Sequence, residues 1–136
     1  MRPVLIAQAQ QDLGSLARHM NELMHKVVQA GFTPSSKPGA WSPSVDICEM
    51  ADRYEVIVEL AGVRREDIEV YTEPHHLTLT GWRRDPMPCD KVRLHQIEIE
   101  QGQFHRCLQL PDDADAEAVT ATYRNGLLHI VIAKRT

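Results

Sequence analysis

The side chains best suited to chemistry in this 136-residue chain are its seven histidines and three cysteines. His75-His76, His95, and His105 with Cys107 are the ones that can converge on a transition metal, which takes imidazole nitrogen and thiolate sulfur. Only His105 and Cys107 have ligand spacing, two residues apart and so on one face of a strand. One pair is not a site, and surface histidines account for the rest, so no metal and no cofactor is expected. Imidazoles titrate near neutrality, which predicts a pH-sensitive assembly. Cys48, Cys89 and Cys107 are odd in number and lack C-x-x-C spacing; they read as free thiols in a reducing compartment, with the cytoplasm as default.

Catalysis finds no support. The chain has no Gly-rich phosphate loop, no G-x-S-x-G elbow and no H-E-x-x-H, so no catalytic residue is assigned and an enzyme is not expected. The formal net charge is -4, and the basic pairs Arg64-Arg65, Arg83-Arg84 and Lys134-Arg135 are short, which argues against nucleic acid. No apolar run approaches the ~20 residues of a membrane span, and the run after Met1 is too short for a signal peptide.

The elements that must position these residues centre on Ala118 to Ile132. Val119, Ala121 and Tyr123 alternate with Thr120, Thr122 and Arg124, the period of a half-buried strand. Asn125-Gly126 is the pair that best adopts positive φ at both centres of a hairpin turn. Leu127 to Ile132 is apolar but for His129, as in a strand covered on both faces. A lone hairpin is marginal in water, so further strands must cover it. They lie upstream: Trp41 to Ile47, Tyr54 to Leu60, Ile68 and Val70, Leu77 and Leu79, Val92 to Ile99, and Phe104 to Leu110. A polar loop at Arg64 to Asp67 admits a single helical turn, and Asp112 to Ala116 reads as an acidic loop. Pro86 and Pro88 make Trp82 to Lys91 a loop, because proline cannot donate to a ladder. About eight short strands at turn spacings near ten residues predict an all-β chain, an immunoglobulin-like antiparallel β-sandwich, over residues 41–136.

Residues 1–40 read as an N-terminal arm and linker. From residue 4 to about 30 the pattern is an amphipathic helix, with Leu13, Leu16, Met20, Leu23, Met24 and Val27 on the apolar face. Gly31 and Pro34 close it, and Thr33 to Gly39 is a linker by composition. The apolar face either docks on its own domain or on a partner helix, or serves as an adaptable Met- and Leu-rich surface.

Four segments resemble the small heat-shock protein family, built on the alpha-crystallin domain. Trp41-Ser-Pro-Ser-Val-Asp-Ile is similar to the family's opening segment. Leu60-Ala-Gly-Val-Arg-Arg-Glu-Asp-Ile-Glu-Val is similar to L-P-G-V-x-x-x-D-I-x-V, with Ala61 in place of proline. Gly102-Gln-Phe-His-Arg-Cys-Leu-Gln-Leu-Pro fits G-x-F-x-R-x-x-x-L-P, and Ala121-Thr-Tyr-Arg-Asn-Gly-Leu-Leu-His-Ile fits A-x-x-x-N-G-x-L-x-I. They stand in the family's order and cover residues 41 to 135.

The resemblance implies an ATP-independent holdase that binds non-native client proteins and prevents their aggregation, with the arm as a client-binding surface. It implies a homodimer, bacterial type, in which the loop from Gly81 to Gly102 carries a strand onto the partner. Val92, Leu94 and Ile97 would lie in that interface with Arg106, which sits on the apolar face by parity and must be paired, Glu98 or Glu100 being candidates. It implies a groove for an I-x-I/V motif, mapped onto Leu77, Leu79, Val119 and Ala121; alternating apolar residues of this kind also fill sandwich cores. The chain ends at Thr136 directly after the last strand, so the C-terminal extension that carries the motif is expected to be missing and the assembly to stay at a dimer or modest oligomer. The alternative is a non-chaperone β-sandwich module or co-chaperone for one partner, as in CS-type domains, which lack the swapping loop. A carbohydrate-binding sandwich would want more exposed aromatics.

Overall fold

Asn125 has φ 54° and Gly126 φ 78°, the double positive φ of a tight hairpin turn. They join β8 (Ala114–Arg124) to β9 (Leu127–Lys134), as the sequence predicts. The turn also packs closely: a Cβ on Gly126 would stand 2.9 Å from the Ala61 Cα. The computed structural model describes residues 2–7, 39–87 and 89–136.

Two sheets face each other. One has the order β2 (Ile6–Ala7), β8, β9, β4 (Arg53–Glu59), β3 (Val45–Glu49). The other has the order β1 (Arg2–Val4), β5 (Ile68–Glu73), β6 (His76–Arg83), β7 (Gly102–Gln109). All pairings are antiparallel except β2 on β8. Alternation decides what lies inside. Val56 and Val58 from β4, Leu128, Ile130 and Ile132 from β9, and Val70, Leu77, Leu79 and Phe104 from the facing sheet form the core. A single 3-10 turn, Arg65–Asp67, leads into β5.

Four expectations change. Residues 2–7 are strands, not the start of a helix, so the boundary near Ala40 does not part them from the sandwich. Two branched aliphatics at i and i+2 after a proline favour an extended chain when sheet edges are there to pair. Leu13, Leu16, Met20, Leu23, Met24 and Val27 lie outside the described residues. Residues 92–99 form no strand; a strand needs an edge to pair with, and none of the nine has this segment as neighbour. The segment Asp112 to Ala116 is only partly loop, because β8 already begins at Ala114, with a register shift between Ala114 and Val119. The outer face of β9 is half-exposed rather than covered. There His129 Nε2 lies 2.6 Å from Glu55 Oε1 and Arg53 Nε donates to Glu55 Oε2 at 2.9 Å. Their hydrogen bonds, His129's foremost, hold the Glu55 carboxyl below its ordinary range.

Candidate functional site

Three features could meet another chain: a seam between the sheets, an open edge and a long apolar loop. The seam runs between β5 and β8, the outer strands of their sheets but for residues 2–7. Those residues bridge it. Val4 pairs with Val70 on β5, and Ile6 pairs with Ala121 on β8. Val4 and Ile6 point into the core while Leu5, at the crossing, is 72% exposed. Thr72 Oγ1 donates to the Arg2 carbonyl oxygen at 3.1 Å, and the Arg2 guanidinium meets Glu117 at 3.2 Å. That ion pair is exposed and adds little. Burying Val4 and Ile6 gains about 3–6 kcal/mol, with about 1 kcal/mol for each hydrogen bond. Fixing six residues of backbone costs about 6–12 kcal/mol. This strap is held close to balance. Past Arg2 the seam continues as a cleft of about 470 Å³ lined by Thr72, Glu73, Asp115 and Glu117.

The seam differs from the groove expected from sequence. Ala121 lies in it and Val119 packs at its margin, half-buried. Leu77 and Leu79 do not. They are fully buried on β6, which is paired on both sides and has no free edge. The second wall is β5, through Val70. The signal that finds the strap is Val4-Leu5-Ile6, the same aliphatic spacing that the resemblance places in a C-terminal extension.

Among the described residues, β3 ends its sheet with no further strand beside it. Val45 and Ile47 stand opposite Val58 and Val56, on the inward side of the sheet. Val45 packs at the margin of the core, while Ile47 lies beyond it and is 55% exposed. The loop, residues 84–101, leaves the sandwich at one clamp. Arg83 lies over the Trp41 ring at 4.1 Å. It donates from Nε to the Glu100 carbonyl oxygen at 2.8 Å and from Nη1 to that of Ala61 at 3.1 Å. Trp41 Nε1 donates to the Gly102 carbonyl oxygen at 3.1 Å. On the next residue, Arg84 Nε donates at 3.0 Å to Asp67 Oδ2, a carboxylate with no exposure. Outside this clamp Val92 is 100% exposed, and Leu94, Ile97 and Ile99 are each more than half exposed.

Arg106 does lie on the inward side of β7, opposite Leu79. Its partner in the chain is not Glu98 or Glu100: Nη1 donates to the Pro43 carbonyl oxygen at 3.0 Å. Cys107 is exposed, with Thr78 Oγ1 3.8 Å from its sulfur. Among the described residues no three His, Cys, Asp or Glu side chains gather as metal ligands would, and no helix there is long and apolar enough to cross a membrane. Ala61 donates its backbone N–H to Glu59 Oε1 at 2.8 Å, a bond that proline at this position would forbid.

With the seam, the edge and the loop in place, the comparison with known proteins is direct. Residues 46–136 match the Hsp20/alpha crystallin family. The chain belongs to that family. It is 34% identical over 115 residues to small heat shock protein C4 of Rickettsia felis, covering 85% of this chain and 71% of that one. Heat shock protein 16 of Schizosaccharomyces pombe is 34% identical over 99 residues, covering 71% and 69%. The chain spans only 60% of R. felis small heat shock protein C2 and 30% of a Dictyostelium discoideum heat shock protein. Among solved structures, a Xylella fastidiosa small heat-shock protein matches with TM-score 0.64 and 36% identity, covering 71% of this chain and 88% of that one. The hspA of Xanthomonas axonopodis matches with TM-score 0.64 and 39% identity, covering 70% and 95%. This Hsp20-family domain therefore has its relatives' sandwich.

Proposed function

We propose that this Hsp20-family chain is an ATP-independent holdase that binds partly unfolded proteins through exposed apolar surface and works as a homodimer built by strand exchange. The observation that carries the reading is the pairing of an apolar, unpaired loop (Val92, Leu94, Ile97, Ile99) with an unpaired, partly apolar edge, β3. An exposed apolar segment and an open strand are each an aggregation hazard alone and complementary together. In the dimer the segment from Val92 pairs with β3 of the partner, covers Ile47, and sets Arg93 on the opposite face, the one that carries Asp46. Arg106 and Pro43 lie at the margin of that interface. The sequence has no phosphate loop, which supports action without nucleotide. The face of Leu13, Leu16, Met20, Leu23, Met24 and Val27 supplies a second client surface on this reading. Three exposed free thiols suit a reducing compartment, and we place the protein in the cytoplasm.

The test is light scattering by a heat-destabilised protein, with and without this chain, in the absence of nucleotide. Suppression at near-stoichiometric ratio is expected. No suppression by a folded dimer would overturn the holdase reading and favour a module for one specific partner.

A further inference from the structure

The sheet of β5, β6 and β7 turns one face away from the core, yet part of that face is buried. Alternation puts Val70, Leu79 and Phe104 inside, and so Glu69, Thr80 and Gln103 outside. These three are at most 9% exposed. Gln103 Oε1 is buried with no hydrogen-bond partner among the described residues, although water satisfies such an acceptor on an open face. The outward face of the other sheet is different. There Glu55, Thr122, His129 and the other described residues are all exposed or half-exposed. We propose that the outward face of β5, β6 and β7 is a docking platform for the chain's own residues 8–38, laid across it by the apolar face of Leu13, Leu16, Met20 and Leu23. The ends of that segment fix its route. Ala7 leaves it at the seam, beside β8 and next to β5, and the chain returns at Trp41, bridged to Phe104 at the β7 edge. Residues 8–38 therefore start at one side of this sheet and finish at the other. Two outward faces join those sides, and one of them holds the buried residues. The lengths agree. The step from β5 to β7 is about 10 Å, and a helix over residues 13–27 is about 22 Å long, with chain left over at both ends. Tyr71 and Trp82, half-buried on the same face, offer rings for the leucines and methionines to cover. This docking is separate from the β3 edge and does not depend on the holdase reading; where both hold, clients and the sheet compete for the same apolar side chains.

The experiment uses the full chain and its exposed thiols. Cys107 stands on the outward face of β7. With Cys48→Ser and Cys89→Ser it is the remaining thiol, and Asn21→Cys adds a second one beside Met20. A short bismaleimide should join the two within one chain. The control moves the sheet thiol to the other outward face, by Cys107→Ser with Thr122→Cys, and should not cross-link. A cross-link to position 122 as fast as to Cys107, or products formed only between two chains, overturns the proposal. Tryptic cleavage after Arg18 and Lys26 gives a second readout. Thr80→Glu sets another carboxylate opposite Glu69 in the middle of the platform, and should speed that cleavage about ten-fold by releasing the segment. An unchanged cleavage rate in the folded variant overturns the proposal. If Thr80→Glu does not fold, the pair of cross-links decides.

Discussion

The Tyr123 hydroxyl lies 2.7 Å from the Leu60 carbonyl oxygen, and equally 2.7 Å from that of Val63. It has one proton, which it donates to either. This ties β8 to the turn at Ala61-Gly62, the turn that also receives the β8–β9 hairpin through the Leu60 N–H to Gly126 carbonyl bond of 2.8 Å. Tyr123→Phe removes that one donor, while the Leu60 carbonyl keeps the Val63 N–H at 3.1 Å. We expect a loss of about 1–2 kcal/mol in urea unfolding, with the m-value unchanged.

All three tyrosines resist ionisation. Tyr54 is pushed up to about 12 by its hydrogen bond to Asp113, with burial adding to it. Burial raises Tyr71, helped by its bond to Glu69, and burial raises Tyr123. A raised phenol binds its proton more tightly in the folded state, so its contribution to stability is complete below about pH 10. It declines as pH climbs from there toward the folded values. Absorbance near the phenolate band should show no tyrosine ionising at about pH 10 while the chain is folded, and all three ionising together on alkaline unfolding.

Arg84 tests the loop base. Its guanidinium is the cation on Asp67, which is fully buried. The bond to Asp67 raises the Arg84 pKa further, so the guanidinium stays charged across the working pH range. Arg84→Ala removes one ion partner of a buried carboxylate, at a cost of up to about 3 kcal/mol. Arg84→Lys should recover part of this but not all, because lysine lacks the guanidinium fork. Chemical denaturation of the three proteins gives the order.

Gly81 marks where two elements nearly touch. A Cβ there would meet the Asp67 carbonyl oxygen at 2.0 Å and the Phe104 ring at 2.5 Å. Neither can retreat: one is backbone and the other is fully buried. Gly81→Ala should cost about 3 kcal/mol or more, or prevent folding outright. Circular dichroism and denaturation distinguish these.

Much of this was legible in the chain, for physical reasons. Val119, Ala121, Asn125-Gly126 and the alternation around Tyr54 and Val58 are local signals that agree with the tertiary structure, so the hairpin and the sandwich could be read. The loop was legible from Pro86 and Pro88, but its start was not: Trp82 and Arg83, expected in the loop, pair with Gln103 and Gly102 at the end of β6. The strap was not, because Val4-Leu5-Ile6 is too short an alternation to stand against the longer helical pattern after it, and only the unpaired edges of β5 and β8 select the strand. Leu77 and Leu79 look the same in sequence whether they line a groove or fill a core; the position of β6 between two partners decides it. Arg106 has the parity of a buried residue, but its partner is a carbonyl, which no sequence pattern marks.

The loop offers the sharpest separation between stability and assembly. Val92 is fully exposed and Leu94 about half-buried against its own loop, so Val92→Asp with Leu94→Asp removes no packing from the sandwich core. Unfolding of the isolated chain should shift by less than about 0.5 kcal/mol per site. In a strand-exchanged dimer the same side chains cover Ile47 on the partner's β3, and two carboxylates would stand on the face that carries Glu49, two residues from Ile47. Desolvation and like charge then act together against association. Analytical ultracentrifugation should show the unchanged chain as a dimer or larger and the double variant as a monomer at the same concentration. Restoring a positive partner surface, by Glu49→Lys in the double variant, should recover part of the dimer. A double variant that remains fully dimeric would place the interface elsewhere on the sandwich.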